Sequence, residues 1–361
     1  MSLPIAPFAA AALPFAAAAL IAAAILLIGS WPWRGLHPRR SSFYAVLGTG
    51  LGFVAGCRLL GLMPHWPPGS GFDRAMWFIM PLVFVVELAG ALAGRFAWLL
   101  WLPRLVIAAT AVRVILHGSK YITDQNTPGT PEWTTQESIV IFAALAAVLL
   151  GLWAAMHLLL RRTPSEADAS APGEPGALAT GAREPGALAT GESVLEVSAP
   201  GGFRKSTALS VGLAIAGTCA GAAVVVMLNG YASDSQYGLV LGAAIAGSAT
   251  ASWVLKTPAD LSGIVGIGLV GAFCLLLLGR FFGNLSTEAA VIVFLAPALC
   301  WLPELPPRLH TLRRLAMVGI PVLIVVILAR QKFDEDSLKN APKTKGSPSH
   351  DYDPSDYEKY K

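Results

Sequence analysis

Charge is what this chain has least of. Asp, Glu, Lys and Arg make up 13% of its 361 residues, where an average soluble domain carries roughly 25%. That scarcity excludes a wholly disordered chain and an ordinary soluble enzyme. Cysteine is sparse too. Cys57, Cys219, Cys274 and Cys300 each lie in an apolar run, with no close pair and no metal-ligand spacing. They read as buried free thiols. His37, His65, His117 and His310 are scattered among connections, and no HExxH-type pair occurs. No metal, haem or other cofactor is therefore expected. A GxSxG motif is missing, and no Ser or Cys has a local activating partner, so no catalytic residue is assigned. The N-terminal MSLPIAPF lacks the Lys or Arg of a signal-peptide n-region, so the first apolar run reads as a retained helix.

What the chain does have is long apolar runs. Hydrophobic residues make up 55% and the mean hydropathy is +0.60. A membrane-spanning helix needs about 20 largely apolar residues. By that ruler ten spans are expected, over residues 3–28, 43–63, 76–94, 97–116, 138–160, 207–228, 237–255, 261–279, 289–302 and 315–329. The ninth is short and contains Pro297. The fold class is thus all-α, a polytopic transmembrane helix bundle.

Between the fifth and sixth spans the composition turns to Pro, Gly, Ala, Ser and Glu, with a tandem repeat, EPGALATGAR then EPGALATGES, from Glu174 to Ser193. Such a segment cannot bury enough apolar area to fold alone. The expected organisation is a five-helix half over 1–162, a disordered linker over 163–206, a second five-helix half over 207–330, and a polar disordered tail over 331–361. The tail ends SHDYDPSDYEKYK, and its alternating Tyr and charge also suit a docking segment for a protein partner.

Cations follow a parity rule. Arg34, Arg39, Arg40, Arg95, Arg161, Arg162, Arg204, Lys205, Lys256, Arg308, Arg313 and Arg314 fall in every second connection, and the alternate connections hold only Arg74, Lys120 and Arg280. The net charge of +4 therefore reflects the bilayer, the expected partner, and is no argument for nucleic acid. The basic connections are expected in the cytoplasm and both termini outside. The Ala, Gly and Arg bias suggests a GC-rich bacterial genome, and hence an inner membrane.

Ionisable residues at membrane depth are costly and stand out as candidate sites. The third and fourth spans are expected to meet at a tight turn around Arg95; Glu87 lies eight positions before it, and Arg104 lies nine after it. At about 1.5 Å per residue, two antiparallel neighbours bring them level. Two readings follow: a buried pair that fixes helix register, or a charge switch in a coupled pathway. Arg58 and Arg113 lie near the outer ends of their spans, with His117 and Lys120 nearby. They read either as snorkelling side chains or as an outward site for an anion or a lipid headgroup. Gly48, Gly52 and Gly56 share a helix face, as do glycines of the sixth to eighth spans; such faces let helices approach closely.

Two halves of five spans insert oppositely, which suits a transporter or permease-like protein for a small solute or anion. The alternative is a non-catalytic scaffold or an accessory subunit of a membrane complex.

Overall fold

The computed structural model describes residues 5–30, 38–122, 133–161, 201–254, 261–302 and 310–340. Most of the 163–206 linker, the tail beyond Asn340, and Arg34, Arg162, Lys256 and Arg308 lie outside the described residues. The described chain is helical, with no strand among those residues. Its helices are α1 (Ile5–Ser30), α2 (Pro38–Leu59), α3 (Gly71–Ala93), α4 (Trp101–Leu116), α5 (Thr135–Arg161), α6 (Gly201–Leu228), α7 (Ala232–Val254), α8 (Ser262–Phe281), α9 (Thr287–Leu295) and α10 (His310–Asn340). Nine helices of the described residues are long and apolar enough to cross a membrane; the α9 segment, Thr287–Trp301, is shorter. The protein is therefore an integral, multi-pass membrane protein.

Several boundaries differ from the expected ones, each for a physical reason. The turn expected around Arg95 is a 3₁₀ helix, Gly94–Leu100, running straight into α4. The ninth span ends in another, Ala296–Trp301. A 3₁₀ turn rises about 2.0 Å per residue against 1.5 Å in an α-helix, so this short segment still reaches about 25 Å. The last helix continues past the expected tail boundary at Gln331 as far as Asn340. Ion pairs at helical spacing, Arg330–Asp334 at 3.9 Å and Asp336–Lys339 at 4.0 Å, support that polar extension.

One helix sits at the centre. Every residue of α8 from Gly263 through Gly279 is buried. It packs against α2 through α7 and against α9, and so against elements from both sides of the linker. Its glycines make this possible. A Cβ on Gly268 would run into Ile215 of α6, and one on Gly271 into Leu241 of α7. Close approach of this kind drives association in a bilayer, where lipid tails are as apolar as the helices.

The same principle joins α1, α2 and α7. The expected glycine face of α2 lies on α1: a Cβ on Gly48 would sit 2.7 Å from the Ala22 carbonyl oxygen, and one on Gly52 would meet Ala18. A buried hydrogen bond at 2.8 Å joins Thr49 Oγ1 of α2 to Ser248 Oγ of α7.

The two ends of the bundle are closed differently. At one end the Leu60–Ser70 loop is tied to α3 by a capping box. Asp73 N donates to Ser70 Oγ at 3.0 Å and Ser70 N donates to Asp73 Oδ2 at 3.2 Å. His65 N also donates to Asp73 Oδ1 at 3.1 Å, and the Tyr237 hydroxyl donates to the Leu62 carbonyl. At the opposite end Trp301 Nε1 donates to the Ala155 carbonyl at 3.1 Å, and buried Arg314 reaches Ser210 Oγ at 3.4 Å.

Candidate functional site

Glu87 comes from α3 and Arg104 from α4. A π-helical turn, Ala75–Ile79, precedes α3's regular stretch. Its wider winding rotates the residues that follow relative to the capped first turn. The 3₁₀ connection then returns the chain so that the two side chains face each other. Arg104 Nε donates to Glu87 Oε1 and Nη2 donates to Oε2, each at 3.0 Å. The residues are 1% and 4% exposed.

The surroundings explain how such a pair persists at membrane depth. The Arg104 guanidinium lies 5.0 Å from the Trp101 ring centre and 5.3 Å from that of Trp153 on α5. Both indoles thus offer a π-face to the cation. His157 meets Trp101 edge-on at 5.9 Å. The Glu87 carboxylate rests on the backbone of α8: a Cβ on Gly266 would lie 2.6 Å from both Glu87 Oε1 and Trp153 Cζ2. Four helices, α3, α4, α5 and α8, therefore meet at one ion pair. Bidentate charge-assisted bonds offset the cost of burying two charges. Removing either partner strands the other in an apolar interior. Trp153 Nε1, also fully buried, has no hydrogen-bond partner among the described residues.

The outward candidates are arranged differently. Arg58 and Arg113 are exposed, and their guanidinium groups make no hydrogen bond or ion pair with a described residue. No described contact links Arg58, Arg113 and His117. The His117 side chain is exposed and its carbonyl accepts from Arg74 Nη1. Arg74 Nη2 also donates to the Gly69 carbonyl at 3.3 Å, so Arg74 ties together the α2–α3 loop and the end of α4. Among the described residues no group of three or more His, Cys, Asp or Glu could hold a metal ion. All four cysteines are buried free thiols.

Sequence reasoning located the pair but not its housing. Trp101 stands three residues before Arg104, the spacing of neighbours on one helix face, so its role was readable. Trp153 and Gly266 come from distant helices and left no local signal. No protein-family model matches this chain, and no curated protein matches it.

Proposed function

We propose that the protein is a non-transporting membrane scaffold, an accessory subunit that holds a partner at the bilayer. The sequence alone leans toward a small-solute carrier, because two oppositely inserted halves could rock against each other. The observation that carries the present reading is the burial of α8 along its length, with its glycines closed against neighbours from both sides of the linker. A carrier opens an aqueous route at such a place; here it is filled with Val, Ile, Leu and Phe side chains. The Glu87–Arg104 pair then serves as a register lock between α3, α4 and α8. The polar end of α10 supports the partner-holding role. Its 31 residues span about 46 Å, which exceeds the roughly 30 Å hydrocarbon core. The helix thus carries Arg330–Asn340 beyond the membrane, and the Tyr-rich tail follows it in sequence. The parity of cations supports reading that side as the outer one, and the Ala, Gly and Arg bias supports a bacterial inner membrane.

The native thiols test this reading. Cys219 and Cys274 are buried in α6 and α8. In sealed vesicles of either orientation, a hydrophilic maleimide should leave both unmodified until the protein is denatured. Modification of either in the folded protein, above all modification that changes when small solutes are added, would establish an aqueous route and return the carrier reading to first place.

A further inference from the structure

An apolar groove lies along α8 about two turns beyond Gly266, on which the ion pair rests. Its volume is about 390 Å³, within the ~300–1,000 Å³ of ligand pockets. The walls are Leu145 and Val148 of α5, Phe273 and Leu277 of α8, and Val291 and Phe294 of α9. Val148 and Val291 are 45% and 48% exposed, so the groove opens sideways to the membrane between α5 and α9. From Thr287 down to Leu295 it runs about 12 Å along the helices, most of the ~15 Å thickness of one leaflet.

A polar pocket of about 480 Å³ adjoins the groove at its outer end, and Arg280 and Thr287 line both. Arg280 Nε donates to Thr287 Oγ1 at 2.7 Å, which leaves the two terminal guanidinium nitrogens for a ligand. Lys332 of α10 reaches across to the Asn284 carbonyl at 3.3 Å. The first turn of α9, capped by Ser286, also faces the pocket and adds the positive end of a helix. Glu288 and Asp336 complete the rim. Neither Arg280 nor Lys332 forms an ion pair with either carboxylate among the described residues. Two cations and two anions thus surround one space without pairing with each other, and Asp336 keeps only a 4.0 Å contact with Lys339 of its own helix. Trp133 and Phe281 line the groove beside Arg280 and belong to a cluster of three rings: Trp133 lies 5.0 Å from Tyr121 and 5.4 Å from Phe281, and Tyr121 lies 5.2 Å from Phe281.

We infer that this composite cleft binds one amino-phospholipid, with an acyl chain in the groove and its zwitterionic headgroup in the polar pocket. The phosphate sits against Arg280, Lys332 and the start of α9. The ammonium faces Glu288 and Asp336. The three-ring cluster beside Arg280 suits headgroup depth, where amphipathic rings are favoured. An acyl chain alone would leave the charged pocket unexplained, and a free phosphate would leave the groove empty.

The test uses the full chain, delipidated in detergent, with bound adducts counted by native mass spectrometry. Three probes are titrated: dioleoyl phosphatidylethanolamine, dioleoyl phosphatidylglycerol and chain-free glycerophosphoethanolamine. The ethanolamine lipid should bind one per chain, about tenfold tighter than the glycerol lipid, the scale of one charged hydrogen bond. The chain-free headgroup should not be retained. Arg280→Gln with Lys332→Gln, both at exposed positions, should abolish the adduct. Ala290→Phe, which fills the groove and leaves the charges in place, should do the same. Glu288→Gln with Asp336→Asn should keep binding and erase the preference between the two lipids. Arg58→Gln with Arg113→Gln should change nothing. Equal binding of the two lipids by the native chain, retention of the chain-free headgroup, or full binding by the Arg280 and Lys332 variant would each overturn the site.

Discussion

Over one 18-residue stretch of each, helices α8 and α10 are nearly equally apolar, with mean hydropathies of 2.3 and 2.2, yet 94% of the first stretch is buried inside the protein and 22% of the second. In water, hydropathy sorts inside from outside. In a bilayer it cannot, because lipid and protein interior make the same demand on a side chain. What separates the two helices is their small residues. Glycines of α8 touch Ile215, Leu241, Trp153 and Glu87, whereas a Cβ on Gly319 of α10 would meet nothing within 4 Å.

The contrast can be broken most forcefully at the ion pair resting on α8. Glu87→Gln or Arg104→Leu leaves one buried charge without its partner, and should cost about 3–5 kcal/mol in a reversible unfolding assay in detergent. The double replacement Glu87→Leu with Arg104→Met should recover most of that loss. A double variant as unstable as the singles would show that the pair does more than hold register. Next comes Gly266→Ala, which forces a methyl group against Glu87 and Trp153 and should cost about 1–3 kcal/mol. Thr49→Val removes one buried interhelical hydrogen bond and should cost about 0.6 kcal/mol, a typical value in a membrane protein. The smallest effect belongs to α10: Gly319→Ala should stay within about 0.5 kcal/mol of the native chain. If melting curves show Gly319→Ala to be as damaging as Gly266→Ala, the division into a closed axis and a lipid-facing periphery fails.

The spans were legible because the bilayer itself sets their length, and ten apolar runs became ten helices. Depth was legible as well. Glu87 and Arg104 could be levelled by counting from Arg95, and the structure puts them 3.0 Å apart. Azimuth was not. Counting residues gives a position along a helix but not the neighbour it faces, so Trp153, Gly266 and the centrality of α8 were hidden. Arg58, Arg113 and His117 were grouped on shared depth, and the described residues show no contact that links them. Arg280 was visible only as one cation of a poorly charged connection. Its importance depends on Lys332, which lies on a stretch whose polarity masked its helical ion pairs. The 3₁₀ segments were hidden too, because their apolar residues look the same in either winding.

The short α9 segment has a consequence for the membrane itself. At about 25 Å it falls some 5 Å short of an average hydrocarbon core, and hydrophobic mismatch costs a fraction of a kcal/mol per Å. The bilayer beside α9 should therefore pinch inward. A protein with one thin flank favours membranes, or neighbours, that share its thickness, and α9 gives this bundle a preferred direction in an otherwise uniform sheet of lipid.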